Sequence, residues 1–143
     1  QDAPDNERDV FWLDGSYCLK VFKGWGPIWW MLAQTVTGLT VGARYRFTAP
    51  IYPDLVKKYS GTEKQFADDP LAGEHFLSAN SAVAVTDTGW LNGDIVPFGK
   101  YSRLSLDFTA DAATMVVRLE VRGRWGLDNN GWFVDSMKLE KLS

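Results

Sequence analysis

The sequence is poor in the residues that build most catalytic and metal centres. Of its 143 residues, one is cysteine and one is histidine. The single thiol, Cys18, excludes an intrachain disulfide and a thiolate metal cluster. It lies in the apolar alternation "SYCLKVF" and reads as an inert buried group. The lone His75 excludes most histidine-based metal sites. Positive charge is also short: 15 Lys and Arg against 18 Asp and Glu give a formal net charge of -3. A chain of that balance is not expected to track a phosphate backbone, so no nucleic acid partner is expected. No apolar run approaches the roughly 18 residues of a membrane span. HExxH, GxSxG, P-loop and GxGxxG patterns are all missing. Helical periodicity is missing too, apart from a short turn around "PDLVKKY" (53–59). The opening "QDAPDNERDV" has neither an initiator Met nor a basic leader, which suggests a processed mature protein or an excised domain.

What the chain does have is period-two patterning. "RYRFTAPIY" (44–52) sets Tyr45, Phe47, Ala49 and Ile51 on one side; "RLSLDFT" (103–109) does the same with Leu104, Leu106 and Phe108. "MVVRLEVR" (115–122) sets Met115, Val117, Leu119 and Val121 against Val116, Arg118, Glu120 and Arg122. "WFVDSMKLEKL" (132–142) alternates Phe133, Met137 and Leu139 with Trp132, Ser136 and Lys138. Half-buried strands read this way, and 16–22, 28–37 and 75–85 are further candidates. Turn signals separate them, as in "TGLTVG", "NGD", "TADAAT" and "LDNNG". Residues 53–73 are polar, hold two prolines and read as a long loop. The expected fold is all-β: one antiparallel β-sandwich domain spanning residues 1–143.

Tryptophan is in excess. There are seven, and aromatic residues make up 14% of the chain. Indole suits sites that are half apolar and half wet. In a strand over 28–37, Trp29 and Trp30 must face opposite sides. Trp30 shares its side with Ile28, Leu32 and Val36 and should enter the core, which leaves Trp29 outside. Trp25, Trp90 and Trp125 sit in turn-rich stretches, and Trp132 shares a face with Ser136 and Lys138, so it should look outward. Plugs at the ends of the sandwich are the alternative account for any one of them. For all five together, at least one is expected to serve a ligand. Sugar rings present C–H groups to an aromatic plane and hydroxyls to nearby polar side chains, and Trp orders only two torsions on stacking.

Three segments resemble the jelly-roll carbohydrate-binding modules, galactose-binding-like β-sandwiches appended to secreted bacterial carbohydrate-active or cell-surface proteins. "DGSYCLKVFKG" (14–24) is similar to their early Gly-Ser strand, and "QTVTGLTVGARYRFTAPIY" (34–52) to their strand, Leu-Gly turn and aromatic-led strand. "NNGWFVDSMKLEKL" (129–142) is similar to their closing strand. Two features depart from the pattern. "QDAPDNERDVFWLD" lacks the expected early Phe-Glu, and the 53–73 segment is long. The resemblance implies a secreted or extracellular location, a place in a larger multidomain protein and no catalysis. It also implies one structural calcium ion, for which Asp14 and Asp135 are the candidates here. A carboxylate capping strand-end amides is the simpler account of Asp135.

The polar candidates are Arg124, Asn129 and Asn130, beside the tryptophans. Arg44, Arg46, Arg118, Arg122 and Arg124 read first as solvated strand faces. Set beside Trp29 or Trp125, some would grip a uronate carboxylate in a bidentate fork. "LDNNG" offers Asp128, Asn129 and Asn130 to sugar hydroxyls, although Asn-Asn-Gly is first of all a turn. Asp68, Asp69 and Glu74 form an acidic cluster that a solvated loop explains. The leading expectation is therefore a noncatalytic module that binds a polysaccharide or oligosaccharide through Trp25, Trp29, Trp90, Trp125 and Trp132. A protein-docking or structural domain is the rival, and a small glycan-active enzyme comes third, since no carboxyl pair sits in a recognisable motif.

Overall fold

A computed structural model describes residues 18–143 as ten strands and one 3-10 turn. The strands are β1 (Leu19–Lys23), β2 (Ile28–Val36), β3 (Arg44–Ser60), β4 (Glu63–Phe66), β5 (Gly73–Asn80), β6 (Val85–Asp87), β7 (Ser102–Thr109), β8 (Met115–Gly123), β9 (Asn129–Val134) and β10 (Lys138–Lys141). They form two antiparallel sheets packed face to face, a β-sandwich. One sheet runs β2-β8-β5-β6; the other is built around β3, which pairs with β4, β7, β9 and β10, while β1 pairs with β9. Among the described residues no helix is long and apolar enough to cross a membrane.

The alternation legible in the sequence places the core. Tyr45, Phe47, Ala49 and Ile51 of β3 are buried, as are Leu104, Leu106 and Phe108 of β7. From the opposite sheet, Met115, Val117, Leu119 and Val121 of β8 meet them. Trp30 turns inward as expected and packs against this core.

The expected 53–73 loop is instead strand for most of its length. β3 continues through Ser60, turns at Gly61 (φ 63°) and Thr62, and pairs back with β4. Its prolines are tolerated because each falls at a gap in the ladder, where no amide is needed. The Pro50 carbonyl accepts from Asp135 N at 3.4 Å, so Pro50 faces the break between β9 and β10. The Pro53 carbonyl accepts from Gly99 N at 2.9 Å, so Pro53 faces the gap between β7 and β4.

Trp132 departs from its expected outward orientation. It is fully buried and belongs to the main core. The cause is an extra residue. From Val134 to Lys138 the chain advances four positions, while their partners on β3, Ile51 and Thr48, lie three apart. Ser136 takes up the irregularity at φ 53°. One inserted residue exchanges the faces of a strand. Leu139 therefore points inward together with Trp132 and Val134, and Phe133 points the other way, into a second cluster with Tyr52, Tyr101 and Cys18.

Candidate functional site

Two loops meet at one end of the sandwich: Gly24–Pro27, between β1 and β2, and Arg124–Asp128, between β8 and β9. Trp25 N donates to the Leu127 carbonyl at 2.9 Å. The buried Asn130 side chain staples the pair, its Nδ2 donating to the carbonyls of Gly26 (2.9 Å) and Trp125. Contact is tight enough that a Cβ at Gly126 would lie 3.0 Å from the Trp25 carbonyl oxygen, so a larger residue there would push the two loops apart by a few tenths of an ångström. Trp25 itself adopts φ 62°, left-handed geometry that a bulky L-residue rarely accepts. Its indole is nonetheless 78% exposed, so the strain is not repaid by burial. Trp125, on the facing loop, is 41% exposed.

The adjoining sheet face continues the surface. Trp29, on edge strand β2, is 66% exposed and stands opposite Arg122 of β8, which in turn stands opposite Glu74 of β5. These three residues form one row across the outer face, because directly paired positions share a side. Glu74 is nearly buried and receives a fork from Arg122, Nε to Oε1 at 3.1 Å and Nη2 to Oε2 at 3.2 Å. Arg124 Nε donates to the same Oε1 at 2.5 Å. The Arg122 guanidinium also lies 4.0 Å above the Trp90 ring, and Trp90 leans on Phe76 with centroids 5.2 Å apart. Burial alone would raise the pKa of Glu74; hydrogen bonds and charge from Arg122 and Arg124 outweigh it and hold the carboxyl below its ordinary range. A carboxylate kept ionised in this way does not serve as a general acid.

Directly beneath this row lies His75, fully buried. Its Nε2 accepts from Trp132 Nε1 at 3.0 Å. Indole can only donate, so the imidazole proton sits on Nδ1, which donates to the Leu91 carbonyl at 3.2 Å. Trp132 reaches across from the opposite sheet to make this bond and meets Trp30 edge-on at 6.0 Å. Burial drives the His75 pKa down from 6.5 to about 4.

Of the sequence candidates, Trp25, Trp29, Trp125 and Arg124 come together at this corner. Trp90 joins them with a ring face already covered by Arg122. Trp132 is sealed inside, and Asn130 is occupied by the loop staple. Asn129 donates to the carbonyl (2.9 Å) and carboxylate (3.2 Å) of Asp54, an internal bond rather than an open hydroxyl partner. Glu74 and Phe76 were not expected here. A strand begun at residue 73 instead of 75 places Glu74 in alternation with Phe76, and that was the available signal. Arg44 and Arg46 lie on the other sheet, where Arg46 forks Asp107 at 2.7 and 3.0 Å.

Cys18 is half-buried, and burial together with the nearby Asp135 charge raises its pKa, in keeping with an inert thiol. Of the two calcium candidates, Asp14 lies outside the described residues. Asp135 is buried and accepts from Ser136 Oγ at 3.4 Å. Among the described residues no three His, Cys, Asp or Glu side chains gather as a metal shell.

No protein-family model matches the chain, and no curated protein does. Among solved structures the fold is similar to that of the EclA C-terminal domain, described as a sugar-binding protein. The likeness has a TM-score of 0.52 at 19% identity and covers 98% of this chain and 89% of that one. At that identity it shows a shared β-sandwich fold.

Proposed function

We propose that this chain is a noncatalytic carbohydrate-binding module that holds a polysaccharide or oligosaccharide at the corner formed by Trp25, Trp29 and Trp125. The carrying observation is Trp25. Its loop is fixed by backbone and Asn130 bonds in a strained conformation that leaves the indole in water. Strain retained without burial is characteristic of ligand sites. Two further exposed indoles and a preset arginine pair adjoin it, which supplies apolar planes and directional donors together. The sugar-binding description of the EclA domain agrees with this reading. Secretion and attachment to a larger protein belong to the same proposal. Single-site affinity in the micromolar to millimolar range is expected, with linkage to other domains raising avidity.

Titration with soluble neutral and acidic polysaccharides should change the tryptophan fluorescence of the folded protein in a saturable way, and Trp29→Ala should remove most of that response. Silence across both classes would point to a protein partner for the same indoles. Product formation by the isolated chain would overturn the noncatalytic part. The proposal extends to one structural calcium shared by Asp135 and Asp14. A calcium-dependent rise in unfolding temperature, reversed by EDTA and lost in Asp135→Asn, is the expected result.

A further inference from the structure

The charged groups at the indole corner are unequal in sign. Arg122 and Arg124 share one carboxylate, Glu74, which leaves one positive charge over. Arg124 commits only its Nε to Glu74; among the described residues its two Nη groups have no hydrogen-bond partner, and its side chain is 42% exposed. Those two nitrogens form the end-on edge of the guanidinium, a pair of parallel donors spaced for two oxygens of one anionic group. A third cation adjoins. The end of the Lys23 side chain lies over Gly26 in the Trp25 turn, its Nζ 3.4 Å from where a Cβ would stand. Of the neighbouring acids, Asp128 Oδ2 accepts from Tyr59 N at 3.3 Å, and Glu120 sits one row further along the sheet, between Arg118 and Arg122.

From this placement, and resting on the carbohydrate-binding reading above, we infer that the ligand is an anionic glycan whose carboxylate or sulfate ester is gripped by the free edge of Arg124 while a neighbouring ring stacks on Trp125 or Trp25. Glu74 is a positioning residue in this account. It holds the Arg124 Nε and so turns the Nη edge outward, and it would repel the ligand if Arg124 were lost. The chain as a whole is acidic, so the cations at this corner are local rather than a consequence of overall charge.

The test uses four polymers with the full chain: a polyuronate, the same polymer with its carboxyls reduced to alcohols, a sulfated galactan and its desulfated form. Binding is read by tryptophan fluorescence and calorimetry at low and at physiological salt. At least one anionic polymer is expected to bind ten-fold or more tightly than its neutral counterpart, with the advantage shrinking as salt rises. The charged arm that shows the difference identifies carboxylate or sulfate. Arg124→Gln should weaken anionic-polymer binding far more than neutral-polymer binding and so abolish that advantage, with the circular dichroism spectrum unchanged; Arg124→Lys should restore part of it. Equal affinity for charged and neutral forms, or equal weakening of both by Arg124→Gln, overturns the anionic assignment and leaves carbohydrate binding standing. No binding to any of the four polymers overturns the anionic assignment together with the reading it rests on.

Discussion

Acidifying this protein from pH 6.5 to pH 4 is expected to remove about 3 kcal/mol of folding stability through His75. In the unfolded chain the imidazole takes up its proton near 6.5; in the folded chain burial withholds it until about pH 4. Across that window the unfolded state binds more protons, so stability is complete above pH 6.5, falls as pH drops, and levels off below 4 as far as this residue is concerned. Glu74 then adds a loss at lower pH, because its folded pKa is depressed and its pairing with Arg122 and Arg124 ends as it is protonated. The His75 loss is a large share of the total for a domain of ordinary stability, about 5–15 kcal/mol. Two features make His75 resist protonation: no part of it reaches solvent, and its Nε2 lone pair is already taken by Trp132 Nε1–H. Urea titrations at a series of pH values measure the effect. His75→Phe should flatten the profile between pH 4 and 6.5 and cost about 1–3 kcal/mol at neutral pH, because the Trp132 N–H is left buried without an acceptor. Trp132→Ala should cost more, about 3–5 kcal/mol, through the cavity between the sheets. A wild-type profile flat from pH 6.5 to 4 would mean that His75 is reached by water and that the two sheets do not close over it.

Trp132, the partner of His75, shows why parts of this structure were legible from sequence and others were not. Alternation gave the buried faces of β3, β7 and β8 because those strands run without interruption over the residues that were read. It gave Trp29 outside and Trp30 inside for the same reason. It failed at Trp132 because phase was carried backwards across Asp135–Met137, where an added residue exchanges the faces. It failed over 53–73 because polarity and two prolines read as a loop, whereas Pro53 stands where the neighbouring strand is interrupted and Pro70 lies in the 3-10 turn after β4. Inter-strand register is the deeper limit. Nothing local in "GWGPIWW", "GEHF" or "VRGRWG" states that Trp29, Arg122 and Glu74 stand in one row. That row depends on which strands neighbour one another, a property of the whole sandwich.

Trp25→Gly is expected to move binding and stability in opposite directions. At φ 62° a residue with a side chain costs roughly 1–2 kcal/mol relative to glycine, and glycine gives back about 0.5–1 kcal/mol through its freer unfolded chain. The indole forfeits little on removal, since it is mostly exposed and its backbone bond to Leu127 survives the substitution. Stability should therefore hold or rise by up to about 1 kcal/mol. Glycan affinity should fall tenfold to hundredfold, the loss of one stacked ring at about 1–3 kcal/mol. Trp25→Ala should weaken binding equally while keeping the strain, so the pair separates conformation from contact. Parallel urea unfolding and fluorescence titration of the two variants decide the matter, with Trp132→Ala as the contrasting case in which stability collapses first. Marked destabilisation of Trp25→Gly would mean that the indole packs against the loop as a plug. A stable Trp25→Gly protein that no longer holds sugar would mean that the chain tolerates a strained turn for the surface it presents, because the fold alone is better served by glycine at that position.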